Sequence, residues 1–102
     1  MFSRVTLLEI DTLRMGVADA VDLFKEQVLP RLKEQDGYEG CVVLTTDEGK
    51  GMIVSMWSTQ AAAAATAPFA TGEIERFVTL FKSPPGREQY EVALLDAVYE
   101  AA

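Results

Sequence analysis

The clearest structural signal in the chain is DGYEGCVVLTTDEGKGMIVSMWST, which runs from Asp36 to Thr59. A loop with two glycines leads into a short apolar run, Cys41–Leu44. A turn rich in glycine and charge, Asp47–Gly51, separates it from a second apolar run, Met52–Trp57. Ser58 and Thr59, residues that favour helix N-termini, close the stretch. This order predicts a strand, a tight turn, a second strand and the start of a helix.

The composition indicates a single globular domain. The chain has 102 residues, of which 49% are hydrophobic and 25% are charged. A chain of this length buries roughly two thirds of its unfolded surface, which suffices for one core. We therefore expect one domain over residues 1–102. The formal net charge of −7 argues against nucleic acid and anionic membranes as partners, because both require a basic surface.

Histidine is absent from the sequence, and Cys41 is its single cysteine. The missing histidine removes the commonest metal ligand, general base and proximal haem ligand. One cysteine can form neither an internal disulfide nor a cysteine-rich metal site. The first residues match neither a signal peptide nor a membrane span. We therefore expect no metal, no cofactor and a reducing, cytoplasmic setting, with Cys41 an inert small hydrophobe.

Apolar periodicity predicts the elements before the central hairpin. Val5–Ile10 is rich in strand-forming residues. Across Val17–Gln35 the apolar residues recur every three or four positions, which is typical of one face of a helix. Pro30 falls inside this pattern and predicts a kink or a break near Gln27. Gly37 is expected to end the helix in the left-handed conformation.

The second half predicts two short helices and a last strand. Thr59–Ala67 should be helical because it contains an uninterrupted alanine run, and Pro68 should end or redirect it. A further helix is predicted over Glu73–Phe81, a break at Ser83–Gly86 and a strand over Gln89–Asp96. The order β-α-β-β-α-β predicts an α+β, ferredoxin-like fold, with a four-stranded antiparallel sheet and helices on one face.

Both faces of the predicted sheet are apolar. Cys41 and Val43 oppose Val42 and Leu44 on one strand, whereas a solvated antiparallel face would alternate with polar residues. The helices cover only one face, and the apolar surface of the other exceeds what monomers usually expose. We therefore expect a homodimer, packed sheet against sheet about a two-fold axis.

Several of these segments resemble the antibiotic-biosynthesis-monooxygenase-like family of dimeric α+β barrel proteins. Asp36–Gly40 is similar to the family's Pro-Gly-Phe-x-Gly loop, and Met56–Thr59 is similar to its threonine-x-tryptophan-x-serine strand end. The hairpin and Tyr90–Asp96 fit as well. The resemblance implies a cofactor-independent monooxygenase acting on a small aromatic or polyphenolic substrate. The alternative is a non-catalytic ligand-binding or structural protein with the same fold.

The family's functional positions match this chain only in part. Trp57 corresponds to the pocket tryptophan of several active members. The asparagine of the quinone-forming relatives falls at Ile53. For the haem-degrading relatives, the asparagine falls near Leu8 and the histidine ligand near Thr66 or Ala67. The resemblance therefore does not imply haem degradation, and the catalytic residues remain unknown.

Each candidate site residue has a structural alternative. Trp57 could stack on an aromatic ligand or lie in the core. Tyr38 could donate a hydrogen bond to a ligand or cover a core edge. Arg76 could hold a phenolate or carboxylate, or form a surface ion pair with Glu73 or Glu75.

The alanine run leaves two packings open. Its helix could pack closely on the sheet, because alanine puts little volume between them. Alternatively, a cavity for a small apolar ligand could open beneath it. The predicted walls of that cavity are Trp57, Phe69, Phe77 and Phe81.

Overall fold

A computed structural model describes residues 1–96 of the chain. Its elements are β1 Phe2–Glu9, α1 Val17–Gln27, α2 Leu29–Lys33, β2 Tyr38–Thr45, β3 Lys50–Trp57, α3 Gln60–Ala65, α4 Ala67–Arg76, a 3-10 helix Val78–Leu80 and β4 Gly86–Glu91. The strands form one antiparallel sheet in the order β2-β3-β1-β4. The predicted α+β, ferredoxin-like fold is confirmed. Within residues 1–96, no helix is long and apolar enough to cross a membrane.

The first helix is broken where its proline predicts. α1 ends at Gln27, and α2 begins at Leu29 with Pro30 in its first turn. Proline lacks a backbone N–H, so it fits the first turn of a helix but not its interior. The predicted break near Gln27 is confirmed.

Gly37 lies in the left-handed region, with φ at 82°. Glycine adopts this conformation without the steric cost that a Cβ brings. The conformation is as predicted, although α2 already ends at Lys33. A Cβ on Gly37 would lie 2.5 Å from the Cβ of Ala62. Gly37 therefore allows the loop to pack directly on α3.

The helical boundaries in the second half differ from the prediction. Thr59 caps α3 as expected, since its hydroxyl accepts a hydrogen bond of 3.0 Å from the N–H of Ala62. The next helix was predicted to begin at Glu73, but α4 begins at Ala67. Pro68 lies in the first turn of α4, where proline is favoured, so it starts this helix instead of only ending the previous one.

The first and last strands are also shifted toward the N-terminus relative to prediction. β1 begins at Phe2 instead of Val5, and β4 spans Gly86–Glu91 instead of 89–96. Their pairing runs from Phe2 opposite Glu91 to Leu7 opposite Gly86. β4 therefore ends where its partner β1 begins, a limit that the alternation of apolar residues beyond Glu91 does not reveal. The predicted domain, 1–102, extends past the described residues.

The helices pack on one side of the sheet, here called the covered face. Its core contains Leu32, Trp57 and Ala63, with Phe24 and Phe69 among the residues packed around them. The opposite side, here called the open face, carries apolar side chains from three paired strands. These are Val5, Leu7, Val42, Leu44, Met52, Val54 and Met56. As predicted, the sheet surface away from the helices is apolar.

Candidate functional site

Two adjoining cavities lie between the covered face and the helices α1 and α4. Their volumes are about 90 Å³ and about 110 Å³. They share the apolar lining residues Leu8, Phe24, Val28, Ile53, Phe77 and Phe81. A cavity of about 150 Å³ can bind benzene, so the two adjoining spaces together are on the scale of a small aromatic ligand. This space is the candidate binding site, because ligand pockets are typically concave and apolar with a few polar groups.

The larger cavity, here called the Arg4 cavity, gathers buried polar side chains. Arg4 and Thr6 come from β1, Ser55 from β3 and Glu73 from α4. Their exposed fractions are 4%, 7%, 5% and 7%, respectively. Arg4 pairs with Ser55 across the strands, and alternation along β1 puts Thr6 on the same face. These polar groups can therefore orient a ligand whose rings lie among the phenylalanines.

Arg4 is a buried cation held firmly in place. Its Nη2 donates hydrogen bonds to the carbonyl of Ala63 and, at 3.1 Å, to Oγ1 of Thr66. Its Cζ lies 5.6 Å from the ring centroid of Trp57. Burial, and then the charge of Arg87, lowers the pKa of Arg4. Among residues 1–96, no carboxylate lies within ion-pair distance of it.

Glu73 forms a second charged feature of the cavity wall. Its Oε1 lies 2.7 Å from Nη1 of Arg31 on α2, and its Oε2 lies 2.6 Å from Nη1 of Arg76. The pairing of Arg76 with Glu73 is one of the two alternatives that the sequence left open. Arg76 also stacks on Phe77, with its Cζ 4.9 Å from the ring centroid. Arg76 as a ligand-holding residue stays a prediction, and its charge is already matched by Glu73.

Trp57 and Tyr38 lie in the core and do not line either cavity. Trp57 is 0% exposed, and its Nε1 donates to Oγ of Ser55 at 2.9 Å. The ring of Tyr38 meets it edge-on, with centroids 5.8 Å apart and an interplanar angle of 79°. Burial, and then Cys41, raises the pKa of Tyr38. This geometry favours the core interpretation for both residues.

The cavity does not lie beneath the alanine helix. Ala63 is 0% exposed and belongs to the same core cluster as Trp57. Of the two packings that the sequence left open, the buried Ala63 favours close packing of α3 over a cavity beneath it. Three of its four predicted walls, Phe69, Phe77 and Phe81, nevertheless line the Arg4 cavity beneath α1 and α4.

Sequence reasoning missed the polar groups of the site. Arg4 and Thr6 stand two positions apart within an apolar strand, a spacing that indicates a shared face. The usual interpretation of such a face is exposure to solvent, whereas here it is the covered face. Phe24 was assigned only to the apolar stripe of the first helix. The spacing of these residues is visible in the sequence, but the sequence does not show whether their face of the sheet points to the helices or to solvent.

Cys41 has the properties of an unreactive thiol. Burial raises its pKa to about 11, so the protonated form predominates at neutral pH. Among residues 1–96, no three histidine, cysteine, aspartate or glutamate side chains come close enough to hold a metal ion. The polar groups that line the Arg4 cavity are those of Arg4, Thr6, Ser55 and Glu73.

No protein-family model matches the sequence, and no curated protein matches it. Solved structures do share its fold. A protein of unknown function from Nitrosomonas europaea is 19% identical, with 97% of this chain and 95% of that chain covered and a TM-score of 0.74. The ActVA-Orf6 monooxygenase of Streptomyces coelicolor, solved in complex with Nanaomycin D, is 20% identical, with coverage of 94% and 92% and a TM-score of 0.68.

A third similar structure is the heme-degrader MhuD of Mycobacterium tuberculosis, solved with two hemes in its active site. It is 14% identical, with coverage of 95% and 100% and a TM-score of 0.68. Another structure with this fold is named an antibiotic biosynthesis monooxygenase. At these identities the similarity shows the fold. The resemblance found in the sequence is thus confirmed at that level.

Proposed function

We propose that this protein is a cofactor-independent, monooxygenase-like protein that acts on a small aromatic or polyphenolic compound. The observation that carries the proposal is the Arg4 cavity, where phenylalanines line the space, a buried guanidinium and two hydroxyls form a polar end on the sheet, and the carboxylate of Glu73 lies on the wall formed by α4. Aromatic walls bind rings, and the polar end orients their oxygen atoms. The fold shared with a monooxygenase from Streptomyces coelicolor supports the same class.

The proposed reaction requires a substrate that itself donates the electrons that reduce dioxygen. A phenol-conjugated methylene group loses a proton to give a carbanion, which reacts with dioxygen. The balanced outcome is conversion of the CH2 group to a carbonyl, with one oxygen atom retained and the other released as water. The protein would exclude water, orient the ring and stabilise the anion. Glu73 is the carboxylate on the cavity wall that can accept a hydrogen bond from a phenol.

The test is quinone formation from anthrone, followed by absorbance in air. The Ala70→Leu variant fills part of the Arg4 cavity, since Ala70 lines it. Ala64→Leu is the matched control, because Ala64 is exposed on α3. Wild type and the control should form quinone faster than buffer, and Ala70→Leu should not. Wild-type turnover no faster than buffer would contradict the enzymatic proposal.

Binding without catalysis is the second candidate, and one observation favours it. The carboxylate of Glu73 is already engaged by Arg31 and Arg76, so the described lining of the two cavities offers no unpaired carboxylate to act as a base. Under this alternative, anthrone raises the melting temperature of the wild type under nitrogen, yet no quinone forms when air is admitted. Loss of the thermal shift in Ala70→Leu would locate the binding in the cavity.

We further propose that two copies form a homodimer through the open face. Leu7, Val42 and Leu44 are 54%, 45% and 52% exposed there, and neighbouring residues extend the patch. A two-fold axis places the apolar patch of one chain against the same patch of the second chain, so that both are buried. Light scattering should give twice the chain mass of 11.2 kDa. A mass of one chain at working concentrations would contradict this proposal.

The cytoplasm remains the proposed location. A lone cysteine, Cys41, whose thiol is protonated at neutral pH, fits a reducing compartment. Fractionation of cells that express the tagged protein would test this, and recovery in an extracellular or envelope fraction would contradict it.

A further inference from the structure

We infer that Arg4 binds an anionic oxygen attached to the ligand's aromatic ring, so that the ligand class is a phenolate or an aromatic enolate. The inference rests on the proposed function, since it assumes that a ring occupies the Arg4 cavity. It goes beyond that function by naming the group that recognises the ligand and the charge state that is bound.

Arg4 has no carboxylate counter-ion among residues 1–96. Buried charges in proteins are normally paired, because an uncompensated charge loses its hydration without an equivalent interaction. Within residues 1–96, Arg14, Arg31, Arg76 and Lys82 all have carboxylate partners, although each is far more exposed than Arg4. A buried guanidinium that faces a cavity and has no carboxylate at ion-pair distance is suited to an anionic guest.

Several N–H donors of the Arg4 guanidinium are unused by the described residues. A guanidinium carries five N–H groups. The Nη2 group of Arg4 is used by Ala63 and Thr66, while Nε and Nη1 make no hydrogen bond with any of residues 1–96. No buried side-chain nitrogen or oxygen in that part of the chain lacks a partner. These donors therefore border accessible space, and the Arg4 cavity is the space that this residue lines.

The guanidinium of Arg4 is preorganised for binding. The bonds through Nη2 and the Trp57 ring hold the guanidinium plane before any ligand arrives, so little side-chain entropy is lost on binding. Arg87 adds positive charge from the neighbouring strand. Glu73, on the opposite wall, is neutralised by its own two arginines. The net field at this end of the cavity thus favours an anion.

Two hydroxyls complete the polar end. Thr6 is 7% exposed, lines the cavity and makes no side-chain hydrogen bond with the described residues. The Oγ of Ser55 accepts the Nε1–H of Trp57, which leaves its own hydrogen free to donate. A ring oxygen seated here would receive charge-assisted hydrogen bonds from Arg4 and further ones from the hydroxyls.

The test uses 4-nitrophenol and its neutral analogue nitrobenzene. Because the phenol and phenolate forms absorb at different wavelengths, the charge state of the bound probe can be read directly. Wild type should bind the phenolate at least about 10-fold more tightly than the phenol, which lowers the pKa of the bound probe by about one unit. Arg4→Met should abolish this preference but keep its affinity for nitrobenzene. Arg4→Lys should retain part of it.

Two further variants locate the effect. Arg14→Met is the control, since Arg14 is exposed and pairs with Asp11 away from the cavity; it should keep the preference. Arg76→Met tests the arginine that the sequence suggested. Retention of the preference in a folded Arg4→Met would overturn the inference, and its loss in Arg76→Met would then assign the role to Arg76. Melting temperatures show whether each variant is folded. If Arg4→Met does not fold, the comparison of wild type with Arg4→Lys tests the inference instead.

The remaining outcomes separate this inference from the proposed function. If wild type binds nitrobenzene and both forms of nitrophenol equally, the role of Arg4 is wrong and the cavity still binds rings. If wild type binds none of the probes up to their solubility, ring binding itself fails, and the inference about Arg4 falls with it.

Discussion

The two faces of the sheet both depart from the usual pattern of an antiparallel sheet that is covered on one side. The covered face buries Arg4, Thr6 and Ser55, whereas the open face leaves Leu7 and Leu44 about half exposed. A sheet with a single covered side usually places apolar residues inward and polar residues outward. This contrast supports the proposed ligand site on the covered face and the proposed homodimer interface on the open face.

The contrast also bears on stability. Among the described residues, the buried hydrophobic set is Ile10, Leu32, Trp57 and Ala63. Small domains bury a modest fraction of their surface, and here part of the interior is cavity. A second copy on the open face would add the apolar burial that the chain's own helices do not provide.

Trp57→Ala should have the largest effect, because it removes the centre of the covered-face core. We expect a loss of about 3–5 kcal/mol in the free energy of unfolding, typical of deleting a buried aromatic side chain. Urea unfolding followed by circular dichroism, at one protein concentration, measures it. Leu13→Ala is the control, since Leu13 is 97% exposed, and should change little. A loss below about 1 kcal/mol for Trp57→Ala would contradict the core role.

Leu44→Glu should weaken the proposed dimer interface on the open face. A two-fold dimer would bury the new carboxylate twice in an apolar interface, so we expect dimerisation to weaken by about 2 kcal/mol or more. Sedimentation across a concentration series measures this as a shift from dimer to monomer. Leu13→Glu, the same change away from the open face, should leave the mass unchanged. Equal masses for Leu44→Glu and wild type would exclude this interface.

Two glycine substitutions should shift stability in opposite directions. Gly37→Ala places a Cβ on a residue with φ at 82° and 2.5 Å from Ala62, so a loss of about 1–3 kcal/mol is expected. Gly72→Ala, inside α4 with nothing within 4 Å, should add about 0.5–1 kcal/mol. Thermal unfolding compares the two. A gain for Gly37→Ala would mean that the contact of the loop with α3 is not tight, and a loss for Gly72→Ala would contradict the open surroundings of Gly72.

The smallest expected effect concerns Cys41, beside the core. The thiolate is the reactive form, and a pKa of about 11 keeps its fraction low until the pH approaches that value. Alkylation by iodoacetamide should be slow at neutral pH and accelerate steadily as the pH rises toward 11. The protein unfolded in urea serves as the reference and should react much faster. Equal rates for the folded and unfolded protein would contradict burial of the thiol.

Predictability followed the range of the interactions involved. The break before Pro30, the conformation of Gly37 and the cap at Thr59 depend on backbone chemistry within a few residues, and all three were predicted from the sequence. The extent of β4 depends on where β1 begins, at the other end of the chain. Apolar alternation beyond Glu91 therefore predicted a strand that the sheet does not form.

The order of the elements, the fold class and the apolar open face could be predicted from neighbouring positions, because local propensity and two-residue alternation depend on them. The site could not, because it is formed by contacts between residues far apart in the chain. Arg4 meets Ala63 across 59 positions of sequence, and Glu73 is matched by arginines from two helices. Whether a charge is paired or faces a cavity depends on such distant contacts, and no local pattern records them.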